Sequence, residues 1–159
     1  MAQEIERKFL VKGEFSSKAL YSISIIQGYL CSGSEATVRV RVSGSKAYLT
    51  IKGKANETRV SRYEWEKEIP PEEAYELIRL CRGNIIEKTR FIVPEGGKNF
   101  EVDVFHGDNE GLIIAEIELE YEDEDFARPE WLGIEVTQEV RYSNSMLSQR
   151  PYKTWQDNH

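Results

Sequence analysis

Residues 4–11 read EIERKFLV, and most of the chain repeats the pattern that this stretch begins. Successive side chains of a β-strand point to opposite faces of the sheet. In a strand, Glu4, Glu6 and Lys8 therefore share one face, while Ile5 and Phe9 share the other. The stretch predicts a strand with one ionic face and one apolar face.

The same alternation recurs along the chain. Short segments rich in Val, Ile, Tyr and Phe are separated by turn signals such as SGS at 43–45 and PEGG at 94–97. This arrangement is typical of antiparallel strands joined by short turns. The predicted strands are 3–11, 23–31, 35–43, 46–53, 59–69, 84–93, 98–105 and 112–121, with a weaker one at 133–138.

Two helices are predicted among these strands. Pro70 and Pro71 open the first, at 71–82. Acidic residues occupy its first turn, and apolar residues recur at helical spacing before Gly83. A second, shorter helix is predicted at 143–149. Sheet still dominates, so the predicted fold class is α+β, β-dominant.

Length and composition favour one domain. The chain has 159 residues, of which 40% are hydrophobic and 11% aromatic, enough for a single core. No apolar run approaches the roughly 18–20 residues of a membrane span, and the charged N-terminus is unlike a signal peptide. Cys31 and Cys81 match no zinc or redox spacing and are expected to be small buried residues. We therefore expect a cytoplasmic protein with no membrane partner.

The net charge of −7 is concentrated in one part of the chain. Residues 116–125 contain seven acids and no base: Glu116, Glu118, Glu120, Glu122, Asp123, Glu124 and Asp125. The rest of the chain is balanced, and no basic stripe indicates a nucleic-acid partner. The end of the acidic run, residues 122–125, is expected to be a solvated loop.

Strand parity gathers the charged residues on one face. They form same-face blocks such as Arg-x-Arg and Glu-x-Glu, and acidic and basic strands take turns. A solvent-facing sheet usually mixes in Ser, Thr, Asn and Gln. The pattern fits either an ordinary half-exposed sheet or a barrel whose ionic face lines the lumen. Parity alone does not choose between these two.

The ordered motifs resemble those of the CYTH domain, or triphosphate tunnel metalloenzyme, superfamily, and in particular its short bacterial inorganic triphosphatases. The matching motifs are EIERK at 4–8, VRVR at 38–41, LTIK at 49–52, YEWE at 63–66, EKTR at 87–90, EVDVF at 101–105 and AEIE at 115–118. The resemblance covers residues 1–150, and residues 151–159 are a C-terminal tail of the same domain.

The resemblance implies an eight-stranded antiparallel β-barrel, a tunnel with a charged lumen and a few flanking helices. It also implies a triphosphate ligand bound with Mg²⁺ or Mn²⁺. We expect metal-dependent hydrolysis of inorganic tripolyphosphate. Class IV-type adenylate cyclase and nucleoside or thiamine triphosphatase are alternatives. A non-catalytic module that binds polyphosphate or nucleotides is an alternative of a different class.

The charged residues divide by chemistry into two groups. Arg and Lys hold phosphate oxygens, so the predicted substrate-binding residues are Lys8, Arg39, Arg41, Lys52, Lys88, Arg90 and Arg141. Mg²⁺ accepts carboxylate oxygens, so the predicted metal ligands are Glu4, Glu6, Asp103, Glu116 and Glu118. The predicted catalytic residues are Lys8 and Tyr29 at the leaving group, Glu64 as base, and Glu116, which helps to orient the attacking water.

Acids and bases balance in this candidate lumen, which predicts that cross-strand ion pairs hold the empty tunnel. Metal ions would then add the positive charge that the substrate needs, so metal and phosphate are expected to enter together. Glu64, Glu66 and Arg141 are alternatively structural ion-pair partners. The same alternative applies to Glu101 and Glu120.

Overall fold

A computed structural model describes residues 3–33 and 35–155 of the chain. Within these residues the chain forms nine strands and two α-helices. Their bounds are β1 (Gln3–Val11), β2 (Tyr21–Ser32), β3 (Ala36–Ser43), β4 (Lys46–Gly53), β5 (Ser61–Ile69), α1 (Pro71–Ile78), β6 (Arg82–Glu95), β7 (Lys98–Phe105), β8 (Ile113–Glu118), β9 (Leu132–Glu135) and α2 (Asn144–Gln149). Neither helix has the length and apolar character that crossing a membrane requires.

Eight of the strands close into an antiparallel barrel, which confirms the predicted fold. The strand order is β5-β4-β3-β2-β6-β7-β8-β1-β9, and β5 also pairs with β1. This closing contact is short, because only Gln3, Glu4 and Ile5 of β1 pair with β5. Farther along β1, Phe9 and Val11 pair with β9 instead. The ninth strand therefore extends the sheet beside the point of closure.

Apolar side chains cover the outside of the barrel. Helix α1 places the fully buried Ala74 against Val40 and Val42 of β3. In another cluster, Trp131 packs edge to face against Phe100, with ring centroids 5.2 Å apart. Two of the hydrophobic clusters of this protein thus lie between the barrel wall and the segments that wrap around it.

One end of the barrel is filled by apolar side chains. Ile86, Phe105 and Ile114 each lie two residues from a buried charged residue on the same strand, so they share its inward face. They pack with Leu147 of α2 and with Trp155. The C-terminal segment therefore packs against this end, including the described part of the predicted tail.

Several sequence predictions about local structure are wrong. Helix α1 ends at Ile78 and not at 82, because the next N–H groups donate three residues back and tighten the chain into a turn. Strand β8 ends at Glu118, and the chain turns just beyond it. The expected burial of both cysteines is also wrong, since Cys31 is exposed and Cys81 partly exposed.

Glu122, which was expected to be solvated, instead accepts three hydrogen bonds. Its carboxylate accepts from Asn56 Nδ2 at 2.5 Å, Thr58 Oγ1 at 3.1 Å and Ser61 Oγ at 2.5 Å. The bonds from Ser61, Asn56 and Thr58 lower the pKa of this carboxyl. The contact ties the 54–60 loop to the start of β5, where the barrel closes.

We predict that Glu122→Ala loosens the 54–60 loop, because three donors lose their common acceptor. Amide hydrogen exchange within 54–60 should become faster, and the melting temperature should fall. The neighbouring exposed acid offers a matched control, since Asp123→Ala should change neither quantity. Exchange in Glu122→Ala as slow as in the wild type would contradict this role.

Candidate active site

The barrel interior carries the charged residues that strand parity placed on one face, so the barrel alternative is the correct one. The buried members are Glu4, Arg39, Lys52, Lys88, Arg90, Asp103 and Glu116. Ionic side chains are rarely buried unless they are paired. Their ion pairs therefore decide how the lumen is held and what it can bind.

The first ion-pair cluster surrounds Asp103. Lys88 Nζ lies 2.7 Å from its Oδ2, and Arg90 donates to both of its oxygens, at 2.8 and 2.9 Å. Burial acts to raise the pKa of Asp103, but the charges of Arg90 and Lys88 outweigh it and lower the pKa. Asp103 is 1% exposed and both its oxygens are taken by cations. This geometry favours a role in orienting Lys88 and Arg90 over the predicted role in binding metal.

The region around Asp103 holds more positive charge than its carboxylates neutralise. Burial lowers the pKa of Lys88 to about 7, and the charges of Arg90 and Arg41 act in the same direction. The charge of Asp103 opposes this shift but does not outweigh it. Arg41 Nε donates to Gln27 Oε1 at 2.7 Å. In the described part of the chain Arg41 forms no ion pair, and burial beside other arginines lowers its pKa. A bound anion would restore the balance.

The second cluster is centred on Glu4 of β1. Lys52 Nζ lies 2.7 Å from Glu4 Oε2, and Arg62 Nε lies 3.3 Å from Oε1. Burial acts to raise the pKa of Glu4, but these two cations outweigh it and lower the pKa. Lys52 also lies 3.8 Å from Glu64, whose pKa is raised by burial and by the charge of Glu4.

Glu6 is a lumen carboxyl for which nearby positive charge does not outweigh burial and the neighbouring carboxylates. Lys8 Nζ, two residues away, lies 3.3 Å from Glu116. Within residues 3–33 and 35–155 no cation forms a salt bridge with Glu6. Burial and the charges of Glu116 and Glu4 raise the pKa of Glu6 to about 8. Glu6 therefore marks a place where an added cation would be stabilising.

The chemistry of these carboxyls fits a divalent cation. Glu4, Glu6 and Glu116 repel one another, and carboxylate oxygens are the ligands that hard cations accept. Glu118 stands opposite Glu6 in the β1–β8 register and is exposed; burial and the charges of Glu4 and Glu64 raise its pKa. Among the described residues, no three of these side chains are yet placed to hold one ion together. A metal ion therefore requires the ion pairs of the lumen to rearrange.

Two adjoining cavities form the tunnel. The interior cavity has a volume of about 70 Å³ and the mouth cavity about 420 Å³. Nine predicted site residues line the interior one: Glu6, Lys8, Tyr29, Arg39, Arg41, Lys52, Lys88, Arg90 and Glu116. Thr37, Arg62 and Ser143 are among the residues that line both, so the two cavities share a wall.

Arg141 is the predicted residue that the structure does not bring to the other cations. Its guanidinium lies 4.6 Å from the ring centroid of Trp155 and 5.3 Å from that of Tyr142. The side chain is 40% exposed and lines neither cavity. A cation held on aromatic faces outside the tunnel is not placed to grip phosphate. The proposed substrate-binding set therefore excludes Arg141.

The structure also places Glu66 and Glu101, for which a structural ion-pair role was the alternative. Glu66 lies 3.6 Å from Arg39 and accepts from Thr50 Oγ1 at 2.7 Å. Glu101 lies 3.3 Å from Arg90, and burial raises its pKa. Both are partly solvent-exposed, at 41% and 43% of the side chain. Their positions favour the structural ion-pair interpretation.

Arg62 and Asn144 are among the lumen residues that were not predicted from the sequence. Arg62 shares the inward parity of Glu64, so the strand pattern contained a signal for it. Asn144, the first residue of α2, accepts from Gln27 Nε2 at 3.0 Å and from Lys88 Nζ at 2.9 Å. No strand periodicity could place Asn144, because it enters the lumen from outside the barrel wall.

A closed antiparallel barrel with a lumen of interleaved acids and bases defines a class of tunnel proteins with a charged interior. The chain belongs to the CYTH domain family, whose profile matches residues 2–152. This confirms the resemblance on which the sequence analysis relied.

Relatives and solved structures agree with this assignment. An inorganic triphosphatase of Acetivibrio thermocellus is 45% identical over 158 residues, which cover 99% of this chain and 100% of that protein. An inorganic triphosphatase of Nitrosomonas europaea is 37% identical over 150 residues, covering 91% and 96%. The crystal structure of an inorganic triphosphatase matches with a TM-score of 0.67 and 33% identity, covering 93% of this chain and 95% of that one.

The unpaired Glu6 predicts how stability depends on pH. Its pKa is about 8 in the fold against 4.5 for a free carboxyl, so the folded state binds this proton more tightly. Stability is then full below about pH 4.5 and is lost as pH rises towards 8. Glu6→Gln removes that loss. Without divalent ions, denaturant unfolding should find the variant more stable at pH 9 by on the order of 1–3 kcal/mol.

Below pH 4 the Glu6→Gln variant and the wild type should be equally stable, since the carboxyl is then protonated in both folded and unfolded states. Glu110→Gln, at an exposed position, is the matched control and should follow the wild type throughout. Identical pH profiles for Glu6→Gln and the wild type would contradict the raised pKa.

Proposed function

We propose that this protein hydrolyses inorganic tripolyphosphate in its tunnel with the help of a divalent cation, Mg²⁺ or Mn²⁺. The observation that carries the proposal is the unbalanced charge of the lumen. Lys88 is a buried cation and Arg41 a half-buried one, and the charge of both is unfavourable without an added anion. Glu6 is a carboxyl in need of an added cation. A phosphate chain with its metal ion supplies both. Two relatives that match nearly the whole chain are inorganic triphosphatases.

The cations of the interior cavity are suited to grip the phosphate chain. A triphosphate carries about −4 to −5 at neutral pH, judging from a phosphate pKa near 6. Arg39, Arg41 and Arg90 offer forked donors, and Lys52 and Lys88 offer point charges. These groups stabilise the charge that spreads over the phosphoryl oxygens during transfer.

The acidic residues complete the site. Glu4, Glu6, Glu116 and Glu118 would hold the cation, which when bound withdraws charge from the phosphoryl oxygens. Glu64, whose pKa is raised, is suited to accept a proton from the attacking water. Asp103 orients Lys88 and Arg90, and Lys8 and Tyr29, which line the same cavity, act at the leaving group.

The direct test is phosphate release from tripolyphosphate, ATP and thiamine triphosphate, each with Mg²⁺, with Mn²⁺ and with neither. We expect the highest kcat/KM for tripolyphosphate and no release without a divalent cation. Cyclic AMP is measured alongside in the ATP reactions. Its formation as the main product would replace the proposal by an adenylate cyclase, and no turnover of any substrate would favour a binding module.

We predict that Arg41→Ala lowers kcat/KM for tripolyphosphate by about 100-fold or more, the loss expected when one preorganised donor to the developing charge is removed. The fold should survive, because Arg41 pairs with no carboxylate in the described residues. Circular dichroism and the melting temperature check this. Arg79→Ala, on the exposed end of α1, is the control and should keep wild-type activity. Full activity of Arg41→Ala would reject the role of Arg41.

A further inference from the structure

Arg62 occupies the junction between the two cavities and lines both. It stands directly opposite Glu4 where β5 closes on β1, and its Nε donates to Glu4 Oε1 at 3.3 Å. The side chain is 27% exposed, more than any other cation bound to Glu4. Arg62 is therefore both an ion-pair partner of a candidate metal ligand and a wall of the substrate space.

Both oxygens of Glu4 are occupied by cations in this structure. Lys52 holds Oε2 at 2.7 Å, and Arg62 holds Oε1. A carboxylate in this state has to give up one partner before it can bind a metal ion. The Lys52 contact is shorter, and the Lys52 side chain is only 10% exposed. Breaking the Arg62 contact costs less free energy than breaking the Lys52 contact, because the Arg62 contact is longer and its guanidinium can be solvated.

A released Arg62 has a second place to bind. Its charge acts on Lys8, where it opposes the rise in pKa that the neighbouring carboxylates cause. The two cations thus lie within electrostatic reach of each other on the wall that the cavities share. A phosphate oxygen between them would attract both, and a guanidinium can hold two oxygens of one phosphoryl group.

We propose that Arg62 exchanges partners during ligand binding. In the metal-free tunnel it neutralises Glu4, and when Glu4 takes a divalent cation the guanidinium turns to the phosphate oxygens of the bound polyphosphate. The identity of that anion rests on the proposed function, whereas the competition for Glu4 does not. Arg62 thereby links the metal site to the substrate grip, and phosphate bound without metal lacks one of its ligands.

The test uses Arg62→Gln and two separate readouts. Binding of Mn²⁺ alone, followed by calorimetry or by the electron paramagnetic resonance signal of free Mn²⁺, should become about threefold tighter, because Glu4 loses a competing partner. The KM for tripolyphosphate at saturating Mn²⁺ should rise about 10-fold or more, because a charged hydrogen bond to phosphate is lost. A merely structural residue would not move the two affinities in opposite directions.

Arg62→Lys separates charge from geometry. Lysine keeps the positive charge that competes for Glu4 but loses the fork that grips phosphate. We expect near wild-type Mn²⁺ affinity with a raised KM. Lys67→Gln removes one positive charge from an exposed position of the same strand and should change neither value.

Unchanged or weaker Mn²⁺ binding by a folded Arg62→Gln overturns the proposal, and so does an unchanged KM. If Arg62→Gln does not fold, Arg62→Lys decides, since wild-type KM in that variant excludes a forked grip on phosphate. Failure of the proposed function is distinguishable, because the wild type would then release no phosphate from tripolyphosphate while the Mn²⁺ measurement could still succeed.

Discussion

Charge inside a closed barrel has to be compensated, and the rest of this structure depends on that constraint. Removing an ion from water is costly unless a partner of opposite sign replaces the lost hydration. Lys8 of β1 meets Glu116 directly across the β1–β8 register, and Lys88 of β6 meets Asp103 of the neighbouring β7. Lys52 reaches Glu4 across the closure. The ion pairs of the lumen thus join the strands that make the tunnel.

Compensation is incomplete at two places, and these explain how a stable fold can also be a receptive site. Glu6 forms no salt bridge within the described residues, and Arg41 is held there by an amide oxygen of Gln27 and not by a carboxylate. A metal ion and a polyphosphate would satisfy each other's charge and these two residues at the same time. Neither ligand alone would satisfy both residues.

The features that could be predicted from the sequence are those that depend on a single strand and not on contacts between distant segments. Side-chain alternation is a property of single strands, so it placed Glu6 and Arg41 on one face correctly. Whether that face pointed inward depended on closure between β1 and β5, distant in sequence, and only the family resemblance predicted it. The contacts of Asn144 and Glu122 were not predicted, because their partners lie on segments distant in sequence. Asn144 of α2 accepts a hydrogen bond from Lys88 in the lumen, and Glu122 accepts one from Ser61. No sequence motif indicates that the Arg141 guanidinium lies on the ring of Trp155.

The measurement that addresses the central claim most directly is calorimetric titration of tripolyphosphate into the metal-free protein, repeated with saturating Mg²⁺ under conditions too brief or too cold for turnover. Because most cations of the lumen are paired with its own carboxylates, the protein should bind the anion weakly alone and at least about 100-fold more tightly with the cation, a coupling of about 2.7 kcal/mol. Equally tight binding with and without the divalent cation would contradict this account.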